Sequence, residues 1–229
     1  VPQLSDAHIV FKEIIRKKNV KYTALTPNLK GLNNAALVHA DEVAIFAAAS
    51  ETFSKKNINC SIRESIIRFH PLMREAKRLG ISVRGYISCI THCPYEGEIS
   101  PSAVLNVARQ FKEIGCYQIS LGDTVGKSTP TSLDKLYRVL FSELPKTFFA
   151  GHFHDTKGRA LENVELSLEN GMKTFDSSIA GLGGCPYAPG SSGNVSTEKI
   201  IKFIEAKGYQ TEISIDNIEK TSDYAKSLV

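Results

Sequence analysis

Short apolar runs and longer amphipathic stretches take turns along this chain. Residues 22–25, 42–46, 82–87, 117–121, 148–152 and 174–177 have the length and apolar content of strands. Helical spacing fills the intervals, at residues 6–18, 29–38, 61–79, 100–114, 130–144, 158–170 and 197–207, with a last helix at 215–228. Boundary residues support these assignments. Ser61 and Glu64 have capping-box spacing. Ser100-Pro101 and Thr129-Pro130 each put a cap before a proline at the first helical position. Gly80, Gly115, Gly171 and Gly208 stand where helices should stop.

Strict alternation of short strands and longer helices predicts a parallel sheet. Both an open doubly wound sheet and a closed (β/α)8 TIM-type barrel satisfy it. Polar residues recur just after strand ends, at Thr26, Ser50, Glu51, Ser88, Asp123, His152, His154 and Ser177. A barrel gathers all such ends on one face, where active sites lie. No Gly-x-Gly-x-x-Gly turn follows the first strand, as a dinucleotide fold would prefer. The barrel is therefore the expected fold. Six strands fall short of eight and the first element is a helix, so the simplest expectation places two strands and a helix ahead of Val1. One domain over residues 1–229 is expected, with residues 208–229 as a C-terminal helical extension. Residues 47–59, 89–99 and 180–196 read as irregular loops after strands, and so as candidate active-site loops.

Composition narrows the function classes. Of 229 residues, 42% are hydrophobic and 23% charged, an ordinary globular balance. The net charge of +4 comes from dispersed lysines and arginines, which argues against nucleic acid and fits an anionic substrate. No run reaches the eighteen or so apolar residues of a membrane span, so no membrane partner is expected. Five cysteines, an odd number in largely apolar settings, suggest a reducing compartment.

Two segments carry candidate chemistry. In Gly151-His152-Phe-His154-Asp155-Thr156, a period of two points both imidazoles the same way, and imidazole is the commonest protein metal ligand. Packed, hydrogen-bonded histidines would give the same pattern, and a cation needs further donors. Asn194 could offer an amide oxygen, and Asp123 and Asp176 carboxylates. Asp123 could equally cap the following helix. The second segment sets Cys185 among Gly181, Gly183, Gly184, Gly190 and Gly193. A free cysteine is usually a small buried apolar residue, but a glycine-rich loop buries little and can close over a substrate. Cys89, His92 and Cys93 have the look of a metal cluster, although one Cys-x3-Cys is weak evidence for zinc. His8, His39 and His70 sit in helical patterns and are given no role.

These motifs coincide with a known family. Leu25-Thr-Pro-Asn-Leu-Lys-Gly31, Val83-Arg-Gly-Tyr-Ile-Ser-Cys89, Cys93-Pro-Tyr-Glu-Gly97, Ile119-Ser-Leu-Gly-Asp-Thr124, His152-Phe-His-Asp-Thr156 and above all Ala180-Gly-Leu-Gly-Gly-Cys-Pro-Tyr187 resemble the 3-hydroxy-3-methylglutaryl-CoA lyases nearly end to end. The resemblance implies a (β/α)8 barrel that cleaves 3-hydroxy-3-methylglutaryl-CoA to acetyl-CoA and acetoacetate, as in leucine degradation and ketone-body formation. It implies a divalent cation, Mg²⁺ or Mn²⁺, on His152, His154 and Asn194, with Cys185 as catalytic cysteine and Asp123 as a site-supporting aspartate. A site histidine, His152, or a carboxylate is the candidate proton acceptor. The family's remaining ligand Asp, the Arg beside it and a Glu from the second strand have no counterpart in this chain. Lys157 departs from the Tyr often found there. The resemblance further suggests an acyl-CoA substrate, a homodimer, and residence in the cytoplasm if bacterial or the mitochondrial matrix if eukaryotic. A related barrel aldolase or Claisen-type synthase is the rival enzyme, though both lack the cysteine loop. A catalytically incomplete scaffold is the rival of another class.

Overall fold

A computed structural model describes residues 5–184 and 193–228. Its centre is a parallel sheet of six strands in the order β1 (Thr23–Leu25), β2 (Glu42–Ala48), β3 (Ser82–Ser88), β6 (Gln118–Asp123), β7 (Phe149–Phe153) and β8 (Phe175–Asp176). Between β3 and β6 lies an antiparallel pair, β4 (His92–Cys93) with β5 (Gly97–Glu98). The helices are α1 (Ala7–Glu13), α2 (Leu29–Leu37), α3 (Glu51–Ile58), α4 (Ile62–Leu79), α5 (Pro101–Ile114), α6 (Pro130–Phe141), α7 (Ala160–Glu169), α8 (Thr197–Ala206) and α9 (Ile215–Lys226). Each strand neighbours the next in sequence order, the winding of a (β/α)8 TIM-type barrel, here as an arc of six strands among the described residues.

The two faces of this arc differ because side chains alternate along a strand. Val43, Ile45, Val83, Ile87, Ile119, Leu121 and Phe149 point to the helices. There they meet Leu72, Phe111, Leu133, Tyr137 and Val164 in one buried cluster. Residues of the other parity face the concave side: Arg84, Tyr86 and Ser88 on β3, Ser120 and Gly122 on β6, His152 on β7. Register aligns Ser88 with Gly122, Gly122 with His152, and His152 with Asp176, one row across four strands. The apolar content of the strands thus builds the core through half of their positions. The other half carries the polar groups inward.

Local signals act as the sequence predicts at several helix ends. Ser61 and Glu64 form a reciprocal capping box on α4. Ser100 and Thr129 cap α5 and α6 ahead of their prolines. Gly80 and Gly115 close α4 and α5 in the left-handed conformation.

Five expectations need correction. Residues 47–59 are not a loop: β2 runs to Ala48, and α3 follows, capped by Ser50 and burying Phe53 and Ser54. Residues 89–99 contain the β4–β5 hairpin. The first helix ends at Glu13 rather than 18, because it buries no residue and the chain turns extended at Ile14. His39 lies beyond α2 with φ of 57°, not within a helix. The last strand shrinks to Phe175–Asp176.

Candidate active site at the strand ends

The carboxyl ends of β3, β6 and β7 surround a cavity of about 310 Å³ lined by Tyr86, Ser88, Thr124, His152, His154 and Asn194 among others. A cavity of about 560 Å³ lies apart from it, between the hairpin and the starts of α5 and α6. It contains neither imidazole of the pair.

The alternation of β7 brings His152 and His154 onto one side, with ring centroids 5.4 Å apart. His154 continues the strand by an antiparallel bridge to Asn194. Its ring is held by the Thr124 backbone and the Asn194 side chain. Burial, reinforced by the neighbouring His152, pushes its pKa down to about 4, so its imidazole is neutral at physiological pH. Neutral imidazole is the form that ligates metals.

Asn194 is placed by the two arms of the chain that meet beneath it. Its backbone N–H donates to Gly183 O at 3.1 Å, and its Nδ2 donates to Leu182 O at 3.1 Å. Its Nδ2 is thereby committed to the arm, while the amide also meets His154. On the far side, Ser178 and Val195 bond through N–H to O at 3.1 Å, and Glu198 accepts the Ala180 N–H at 3.2 Å.

Asp123 and Asp176 do not join a cation cluster. Among the described residues no three His, Cys, Asp or Glu groups converge on a point that could hold a metal ion. Asp123, at the end of β6, accepts the N–H groups of Lys127 at 3.1 Å and Ser128 at 2.9 Å. Burial raises its pKa, and those hydrogen bonds only partly oppose the rise. Its carboxylate ties down the turn that presents Thr124 to His154 and, through Thr124 Oγ1, to the Cys89 N–H at 2.8 Å. Asp176 forms an ion pair with Arg84, Oδ1 to Nη1 at 2.8 Å. Cys89 and Cys93 are buried with Ala48 and Phe53 in a small apolar cluster, and Cys93 Sγ meets Ser50 Oγ at 3.0 Å. They are packing groups, not a zinc cluster. Cys185 lies outside the described residues, whose neighbouring Gly184 lines the cavity.

Arg84 and Tyr86 are the site residues that sequence reasoning passed over. Their signal was present: in Ser82-Val-Arg-Gly-Tyr-Ile-Ser88 every polar side chain has one parity, inside a strand buried on its other face. A charge at such a position needs a partner.

Donor chemistry fits a divalent cation: two imidazoles and an amide on one cavity wall, one imidazole held neutral. Fold and site together define a barrel-type α/β protein with a candidate cation site at the carboxyl ends of its strands. The HMGL-like family model matches residues 1–225, and the chain belongs to that family. It is 48% identical over 218 residues to the hydroxymethylglutaryl-CoA lyase of Pseudomonas mevalonii, covering 95% of this chain and 72% of that protein. With the cytoplasmic 3-hydroxy-3-methylglutaryl-CoA lyase of Danio rerio it shares 46% over 224 residues, covering 98% of this chain and 67% of that protein. The Brucella melitensis HMG-CoA lyase structure matches with TM-score 0.96 at 44% identity, covering 100% of this chain and 81% of that one. The structure of an HMG-CoA lyase from Acenitobacter baumannii in complex with coenzyme A and 3-methylmalate matches with TM-score 0.94 at 32% identity, covering 100% of this chain and 74% of that one. The carboxyl transferase domain of Rhizobium etli pyruvate carboxylase, at 17% identity and 0.66, shares the fold alone. Among the described residues no helix is long and apolar enough to cross a membrane.

Proposed function

We propose that this chain is a metal-dependent carbon–carbon lyase that cleaves 3-hydroxy-3-methylglutaryl-CoA to acetyl-CoA and acetoacetate. The observation that carries this reading is the pairing of His152 and His154 with Asn194 at one cavity, within a chain 46–48% identical to lyases of that name. His152, His154 and Asn194 would hold the cation, which we assign as Mg²⁺ or Mn²⁺. Such a cation, when bound, acts as a Lewis acid toward substrate oxygens.

The chain's own residues supply the proton movements. The C3 hydroxyl loses its proton, the C2–C3 bond breaks as the C3 ketone of acetoacetate forms, and the electron pair passes to C2 as the acetyl-CoA enolate. His152 is the acceptor we assign for the hydroxyl proton, since it is the more exposed of the two imidazoles that line the cavity, His154 being buried. The His152 Nδ1 faces Asp176 at 3.3 Å, and Nε2 is the nitrogen left for the cation or the proton. Cys185 is the donor we assign for C2, because a thiol holds its proton near neutral pH and releases it to a carbanion. Asp123 supports the site through the Thr124 turn. The mild positive charge favours an acyl-CoA, and we take the assembly to be a homodimer, which sedimentation would check.

Incubation of the purified chain with 3-hydroxy-3-methylglutaryl-CoA and Mn²⁺ should release acetoacetate, and EDTA should abolish it. Cys185→Ser should lose most turnover yet keep Mn²⁺ affinity; a rate within about threefold of wild type would remove Cys185 as donor. Mn²⁺ binding without any acetoacetate would favour the scaffold reading instead.

A further inference from the structure

We infer that Asp176 is a positioning residue that fixes which nitrogen of His152 carries the proton, and that Arg84 in turn fixes Asp176; the inference deepens the cation-site reading above. The three residues come from three strands. Asp176 lies opposite His152 in the β7–β8 register. Its Oδ2 sits 3.3 Å from His152 Nδ1 and accepts the Ser120 hydroxyl. Its Oδ1 accepts Arg84 Nη1 at 2.8 Å. Arg84 Nη1 also donates to the Tyr86 hydroxyl at 3.1 Å. The Tyr86 ring meets the His152 ring edge-on, with centroids 6.0 Å apart at 84°. Both the direction and the plane of the imidazole are therefore held.

The chemistry of these groups leaves one arrangement. A carboxylate paired with a guanidinium is ionised and only accepts. The His152 nitrogen that faces it must be Nδ1–H. A neutral imidazole has a single N–H, so Nε2 keeps its lone pair. That lone pair is what a cation or a substrate proton requires. A carboxylate behind a ligating histidine orients it and raises its basicity.

Arginine has no acceptor atom, so it demands an oxygen at the Oδ1 position. In Asp176→Asn the carboxamide must therefore turn its oxygen to Arg84 and its NH2 to His152. The NH2 donates to Nδ1, which drives the imidazole proton to Nε2. An isosteric change should invert the tautomer, rather than merely loosen the ring.

The decisive measurement is a two-bond ¹H–¹⁵N correlation spectrum of ¹⁵N-histidine-labelled, chelator-treated chain, with His152 assigned by its loss in His152→Gln. Wild type should show Nδ1–H. Asp176→Asn should show Nε2–H, and Mn²⁺ affinity should fall by about 10- to 100-fold. Nε2–H in wild type would overturn the inference, as would an unchanged tautomer in Asp176→Asn. The wild-type spectrum decides even if the variant fails to fold. Should wild type show Nδ1–H but bind no Mn²⁺, the positioning role would stand and the cation-site reading would fall.

Discussion

Gly193 precedes Asn194 at the point where two chain arms cross, and its replacement by alanine tests whether backbone packing builds the proposed cation site. Gly193 has φ of +118°, and a Cβ there would lie 2.4 Å from Gly181 O and 2.8 Å from Gly183 O. Both obstacles are backbone, which cannot swing aside as a side chain would. The dihedral alone costs roughly 1–3 kcal/mol for a residue with a Cβ. Parting the arms adds an overpacking cost of similar size, roughly 1–3 kcal/mol. The bonds that give way first are the local ones: Asn194 N–H to Gly183 O at 3.1 Å, and Asp155 N–H to Gly193 O at 3.3 Å. Asn194 then loses its placement beside His154. If about 2 kcal/mol of that cost falls on the assembled site, Mn²⁺ affinity drops about 30-fold. Gly208→Ala is the control, since Gly208 also has positive φ, +85°, but nothing stands within 4 Å of its would-be Cβ. Isothermal titration with Mn²⁺ and thermal unfolding should be run on both. Gly208→Ala should lower stability by about 1 kcal/mol and leave Mn²⁺ binding alone. If Gly193→Ala bound Mn²⁺ within about threefold of wild type, the arms would not be what places Asn194.

Two further outcomes follow from burial. His154 has its pKa pushed down to about 4, whereas an unfolded histidine titrates near 6.5. The unfolded chain thus binds a proton that the folded chain refuses, and metal-free stability should fall by on the order of 3 kcal/mol as pH drops from about 6.5 to 4. Urea unfolding in EDTA across that window should show a slope that His154→Gln flattens; equal slopes would refute the assignment. Phe111, fully buried on α5 and edge-on to Phe69 at 6.4 Å, should cost roughly 3–5 kcal/mol as Phe111→Ala, read from urea midpoints.

Legibility in the sequence tracked how local each determinant is. The six sheet strands could be read because each is a compact apolar run, and the caps of α4, α5 and α6 because capping is settled within four residues. α3 escaped because Glu51-Thr-Phe-Ser-Lys-Lys-Asn-Ile58 is mostly polar, so its helical state rests on the Ser50 cap and on packing of Phe53. The His152–His154 pair could be read from a period of two. The Arg84–Asp176 pair could not, since its partners are 92 positions apart and meet only when β3 and β8 share one concave face. Asp123 and Asp176 looked alike as strand-end carboxylates. Their different fates were decided by which neighbours reached them, amide N–H groups for one and a guanidinium for the other.

The two arms that hold Asn194 are fastened to one another on the near side of residues 185–192, through Leu182, Gly183 and Asn194. Adding or exchanging a few residues beyond that fastening changes a closure entropy that grows only with the logarithm of length, a few tenths of a kcal/mol at most. Such edits would exert little pull on the imidazoles. The placement of Asn194 beside His154 is thus set by the fastening of the two arms, and it tolerates a change in the length of chain between residues 184 and 193.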